Sequence, residues 1–189
     1  TQLSYVEFYW YSTQTAEYDF LTDACRLERI GEYPSLGNNL LVNASFENQT
    51  AYWNSASPTQ ISVSTNAYDG DNAAMLIKKR GQNQWVSVKQ NVTQAMKEAG
   101  SGWYKASCYL KGSGTYMPNL ALVIKIVASD GSASYKSSNY KTLTNAYQYF
   151  EVNFFLYTDE ISYVEFYWNG TTTNEYDFIV DACSLVHTV

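Results

Sequence analysis

Four carboxylates, Glu151, Asp159, Glu160 and Glu165, fall within one short stretch of the chain. Hydrolysis of a glycosidic bond needs two carboxyl groups flanking it, roughly 5–9.5 Å apart. Successive side chains on a strand point to opposite faces, so a strand hairpin scatters these four and singles out no pair. His187, the only histidine, lies at the C-terminal end, which leaves a nucleophilic triad or a histidine metal site without its base or ligand. "GSGWYKAS" lacks the phosphate-loop pattern. The spacing does not point to catalysis.

A different chemistry fits the segment "ISYVEFYWNG" (161–170). Alternation puts Val164, Phe166 and Trp168 on one side, a core face. Tyr163, Glu165, Tyr167 and Asn169 share the other, and Tyr135, Tyr140, Tyr147 and Tyr149 lie nearby in sequence. Aromatic plates interleaved with carboxylate and amide groups suit a sugar polymer. The C–H face of a pyranose packs on a ring, and its hydroxyls need hydrogen-bonding partners. The competing explanation is that tyrosine and phenylalanine simply fit a half-buried pleat.

Composition bounds the partners. The chain has 189 residues, a formal net charge of −6 and 16% aromatic residues, a balance that argues against disorder. Excess acid disfavours nucleic acid and anionic membrane, and no apolar run reaches the length of a membrane span.

The elements that must position these residues are strands, punctuated by Gly, Asn, Asp and Ser. "NNLLVNASFEN" (38–48) opens the series, and residues 60–80 hold two short strands around an Asp-Gly turn. Residues 84–92, 101–114, 119–141, 147–157, 161–170 and 175–186 follow, the 119–141 stretch being a hairpin turning at Asp130-Gly131. Only "TQAMKEAG" (93–100) has helical character. Roughly nine strands with little helix predict an all-β antiparallel β-sandwich.

The chain also repeats itself. From Leu3 and from Ile161 two 28-residue segments match at 17 positions, with "SYVEFYW" and "DAC" in both. The offset of 158 residues rules out a short-period solenoid and predicts tandem modules. Residues 1–30 are then the final strand pair of a preceding module, 31–39 a linker, and 40–189 a complete module. A lone strand pair is marginal in water, so residues 3–30 are expected to pair with this module's edge or to exchange into a second copy as a homodimer. Cys25 and Cys183 are repeat equivalents, which leaves Cys108 and Cys183 to the module, either as a disulfide or as two buried thiols.

The order of phrases "NLLVNASFEN…YWNS", "AYDGDNAAMLI", "KKRGQNQW", "GWYKASCYLKG", "IVASDGSASY" and "EYDFIVDACSLV" resembles the family 22 carbohydrate-binding modules. These are galactose-binding-like jelly rolls found beside xylanases, and the resemblance covers residues 40–186. It implies a secreted, non-catalytic module that binds xylan or a related plant β-glycan in a cleft across one sheet and brings an attached glycoside hydrolase to its substrate. By position it implies Trp85 after Arg80, Tyr135 just past the Asp-Gly turn, and Glu165 on the penultimate strand as ligand-binding residues. A two-residue shift of register would move the last role toward Tyr167 or Asn169. Where the family can carry an arginine just after its first tryptophan, this chain has Trp53 followed by Asn54. The resemblance further implies a structural Ca2+ near the chain ends, held by Glu47, Asp181 and the turn over residues 68–71, including Asp71. Hard oxygen donors are what such an ion needs. The alternative function is a structural spacer repeat of a cell-surface protein with no sugar site. Convergence of Trp85, Tyr135 and Glu165 on one exposed cleft separates the two.

Overall fold

The computed structural model describes residues 38–68 and 74–188. The repeated segment at 1–30, the linker to residue 37, Cys25, Asp71 and the Asp69-Gly70 turn lie outside the described residues.

Two antiparallel sheets face each other. In the first, β1 (Asn54–Ser55), β4 (Trp85–Asn91), β10 (Ile161–Gly170), β6 (Asn119–Ala128) and β7 (Ala133–Ser137) lie in that order, and β8 (Lys141–Thr142) also pairs with β6. In the second the order is β2 (Gln60–Ser64), β3 (Ala74–Lys79), β11 (Tyr176–Thr188), β5 (Gly102–Gly112) and β9 (Gln148–Leu156). This is the expected antiparallel β-sandwich. The two-residue strands β1 and β8 carry no alternation and were beyond sequence pattern. Helix α1 (Thr93–Ala99) stands where "TQAMKEAG" places it and ends at Gly100, whose φ of 89° suits a residue without Cβ. Gly131 turns the β6–β7 hairpin with φ 86°.

Residues 38–53 differ from expectation: they form looped chain, not an opening strand. The Asn43 side chain explains it. Its amide donates to the carbonyls of Gln49 and Ala51 and accepts from the N–H of Asn48, closing the chain on itself. Asn43, Phe46, Gln49 and Tyr52 all take positive φ within this loop. What remains strand-like is a pair of backbone contacts with β11, the Leu40 N–H on the Leu185 carbonyl and the Cys183 N–H on the Ala44 carbonyl, reinforced by the Asn39 side chain on Cys183 and Leu185.

Alternation does the rest. Val164, Phe166 and Trp168 of β10 are buried between the sheets, as are Tyr104, Ala106, Cys108 and Leu110 of β5. Trp53 stacks on Trp168 with centroids 5.6 Å apart and meets the edge of Phe166 at 5.9 Å. The Trp168 indole N–H reaches the Cys108 sulfur at 3.5 Å, giving a buried donor its partner. Cys108 and Cys183 are free, buried thiols, and Cys183 sits in a bulge of β11 beside Ala182, whose φ is 46°. The core thus holds β10 so that its remaining residues must face outward from the first sheet.

Candidate functional site

Pair register lays out the outer face of the first sheet in three rows. Glu165 lies between Asn91 of β4 and Lys125 of β6, and Lys125 in turn faces Tyr135 of β7. Two residues along, Tyr167 lies between Lys89 and Val123, with Asn54 beyond Lys89 and Ser137 beyond Val123. At the third row Asn169 stands beside Trp85. Rows two residues apart are separated by roughly 7 Å, and neighbouring strands by about 4.8 Å. A cleft of about 990 Å³ opens over this floor, with residues 82–84 and Thr173 on its rim.

The structure brings Trp85, Tyr135, Glu165 and Tyr167 to this one cleft. Trp85 and Tyr135 are 52% and 58% exposed, and Tyr140 beside them 43%. None of the three has a ring partner among the described residues, so their faces are open. Asn169 donates to the Tyr140 hydroxyl at 2.9 Å. Asn54 also lines the cleft, so the position after Trp53 belongs to it but carries an amide where the family can carry a guanidinium. Burial, with Tyr135, Glu165 and Tyr140 nearby, pushes the Tyr167 phenol up to about 12. It stays a neutral hydrogen-bonding group well into alkaline solution.

Arg80 needs correction: it does not line the cleft. It follows directly on β3, in the other sheet, and its guanidinium donates to Asp177 at 2.7 Å and to the carbonyls of Lys79 and Tyr176, with Glu175 at 3.7 Å. Those partners tie it to the β3–β11 strand end.

Glu165 is buried, and a buried carboxylate needs charge partners. Lys89 approaches Oε2 at 2.6 Å, and the Tyr163 hydroxyl donates to the same oxygen at 2.7 Å. Lys125 stands off at 3.8 Å from Oε1. The Glu165 hydrogen bond is the main reason the Lys89 ammonium is held above its ordinary value. Sequence reasoning missed both lysines. The signals were present: Trp85, Ser87 and Lys89 alternate along β4, and Lys125 interrupts an apolar strand.

It also missed Lys79, which faces inward and is wholly buried. Its ammonium donates to the carbonyls of Gly81, Thr173 and Asn174 at 2.8–2.9 Å. One side chain thereby joins the two loops that form the rim beside Trp85. Burial lowers its affinity for the proton, and Glu175 partly restores it.

Glu165 is the single carboxylate among the residues lining the cleft, whereas glycoside hydrolysis needs a pair. Glu151 faces outward from the other sheet and bridges Lys105 at 2.8 Å.

The expected calcium ligands are less well served. Both oxygens of Asp181 accept backbone N–H groups, Oδ2 from Tyr68 and Oδ1 from Ala182, each at 2.7 Å. Glu47 is exposed on the 38–53 loop. No three acidic, histidine or cysteine side chains cluster among the described residues. A calcium cage takes roughly six to eight oxygens, so an ion here would depend on backbone carbonyls and on residue 71.

Comparison with known proteins places the fold. No family model and no curated protein matches the chain. Among solved structures, the first family 22 xylan-binding module of Paenibacillus barcinonensis Xyn10C superposes with a TM-score of 0.68 at 16% identity, over 81% of this chain and 96% of that one. The C-terminal family 22 module of Clostridium thermocellum Xyn10B gives 0.64 at 14% identity, over 81% and 93%. A family 16 carbohydrate-binding module gives 0.60 at 22% identity, over 78% and 99%. The chain has the fold of the family 22 xylan-binding modules.

Proposed function

We propose that the module binds a plant cell-wall β-glycan, xylan first, in the cleft over β4, β10, β6 and β7, without catalysis. The observation that carries this is the convergence of Trp85, Tyr135 and Tyr140, with their ring faces open, on a floor of Glu165, Lys89, Lys125 and Tyr167. A sugar ring needs that combination: an apolar plate for its C–H face and charged or hydroxyl partners for its rim. The ligand of the Paenibacillus barcinonensis module, xylan, favours that glycan over others.

Attachment to a glycoside hydrolase, secretion, tandem arrangement and strand exchange through residues 3–30 belong to the same proposal, and they rest on the repeated segment and the family resemblance. So does a structural Ca2+ at Asp181 and Glu47. The spacer alternative loses ground to the convergence, because a spacer has no need of unpartnered aromatic rings around one concavity.

Native gels containing soluble xylan, mixed-linkage glucan, xyloglucan or mannan test the reading, with Trp85→Ala beside the wild type. A central aromatic anchor is worth about 2 kcal/mol, some thirtyfold in affinity. Retardation by xylan that is lost in the variant is the expected result. Retardation by another glycan alone would replace the ligand, and none in any gel would leave the spacer.

A further inference from the structure

The charges of the cleft do not balance. Its lining carries Lys89, Lys125 and Glu165 and no other charged side chain, a surplus of one positive charge in a chain whose formal net charge is −6. We infer that the cleft prefers a glycan bearing carboxylates, a xylan chain with uronic-acid branches, and that Lys125 is the residue that reads them. The inference rests on the glycan-binding function proposed above.

Three observations support it. First, the neutralisation of Glu165 is already done on one side: Lys89 and Tyr163 both engage Oε2 at 2.6 and 2.7 Å. Lys125 lies 3.8 Å from the other oxygen, beyond hydrogen-bond reach, and has no hydrogen bond to any described residue. Its three N–H groups are open to a ligand. Second, its side chain is 32% exposed, which removes part of its hydration, and the Glu165 oxygen 3.8 Å away offers it charge but no hydrogen bond. A ligand carboxylate restores that loss with a charge-assisted bond, roughly twice as strong as the neutral bond a hydroxyl would make. Third, Lys125 is the direct cross-strand neighbour of Tyr135. A sugar stacked on that exposed ring therefore lies over the strand next to the one that carries the ammonium, the two backbones being about 4.8 Å apart. The acidic remainder of the surface does not cancel the preference, since charges more than about 8 Å away are screened at physiological salt.

Other features carry less. The Cys108 and Cys183 thiols are buried, and the rings of the Trp103–Phe155–Tyr157 patch are packed against one another.

The experiment is calorimetric titration with two xylo-oligosaccharides of one backbone, with and without a single glucuronic-acid branch, and with the branched chain after reduction of its carboxyl group. The branched acid should bind about three- to tenfold tighter than either neutral chain at low salt, and the gap should shrink as salt rises. In Lys125→Met the ratio should fall to near one, and in Lys125→Arg it should survive. Equal affinities in the wild type, or a ratio untouched in Lys125→Met, overturns the inference and leaves the glycan-binding reading standing. Binding to none of the three chains overturns both.

Discussion

Trp85 and Trp103 are equally exposed, 52% each, and stand on opposite outer faces of the sandwich. Their surroundings differ. Trp103 meets Phe155 edge to face at 5.6 Å, and Phe155 meets Tyr157 at 4.9 Å. Further along the same sheet, Tyr68 stacks on Tyr109 at 3.7 Å and Tyr109 leans on Tyr149 at 5.1 Å. Lysines sit over the rings of Tyr147 and Tyr149. On this face the aromatic residues satisfy one another. On the other, Trp85, Tyr135 and Tyr140 are held apart on separate segments around a concavity with charged groups in its floor. Exposure alone does not mark a binding site; unpartnered ring faces around a polar floor do.

The largest effect should come from removing what holds the rim of that concavity in place. In Lys79→Met the methionine fills the space but leaves the carbonyls of Gly81, Thr173 and Asn174 without their donor. Each of these part-buried hydrogen bonds is worth about 1 kcal/mol, so a loss of roughly 3 kcal/mol is expected, on the order of 10 °C in Tm. Glycan affinity should fall as well, because residues 82–84 and Thr173 lose their shared anchor, while the Tyr68–Tyr109 stack on the other face is untouched. A melting curve within a few degrees of wild type would show that the rim does not depend on Lys79.

A middle-sized effect belongs to the other face. Asp181 fixes the backbone N–H of Tyr68, whose ring completes the stack on Tyr109. If calcium binds beside Asp181, as proposed, chelation should lower Tm, with retardation by xylan unchanged once the protein is compared below its transition. Asp181→Asn should remove the calcium response. An unchanged Tm on adding EDTA and then excess Ca2+ would remove the ion from the account.

How far the sequence carried these conclusions differs between the two faces. Alternation in 161–170 was enough to separate Val164, Phe166 and Trp168 from Glu165, Tyr167 and Asn169, because a strand has only two sides. The family resemblance added Trp85 and Tyr135, which alternation could not bring near β10: their nearness depends on strand order, β4 and β7 on either side of β10 and β6. Arg80 was misplaced for a related reason. It sits five residues before Trp85, but the chain crosses from the second sheet to the first between them. Lys79 was illegible because a lysine ending a strand is usually solvated, and only the three converging carbonyls reveal an inward one. The loop at 38–53 hid behind apolar residues that pack in the core without forming a strand.

The smallest effect is the sharpest test of the comparison. Trp103→Ala removes as exposed an indole as Trp85→Ala does. An edge-to-face pair is worth about 0.5–1.5 kcal/mol beyond its buried area, so stability should drop by about 1 kcal/mol. Glycan affinity should stay within about twofold of wild type, well under the thirtyfold expected at a central anchor. Trp103 is the cross-strand partner of Phe155, and Thr188 donates its hydroxyl proton to the Trp103 carbonyl, so this site belongs to the pleat of the second sheet. Equal losses of affinity from the two tryptophans would mean that the glycan is held on both faces, and the argument from unpartnered rings would fail. A loss at Trp85 alone, with Trp103→Ala slightly less stable and equally retarded by xylan, would show that ring packing separates a binding surface from a merely aromatic one.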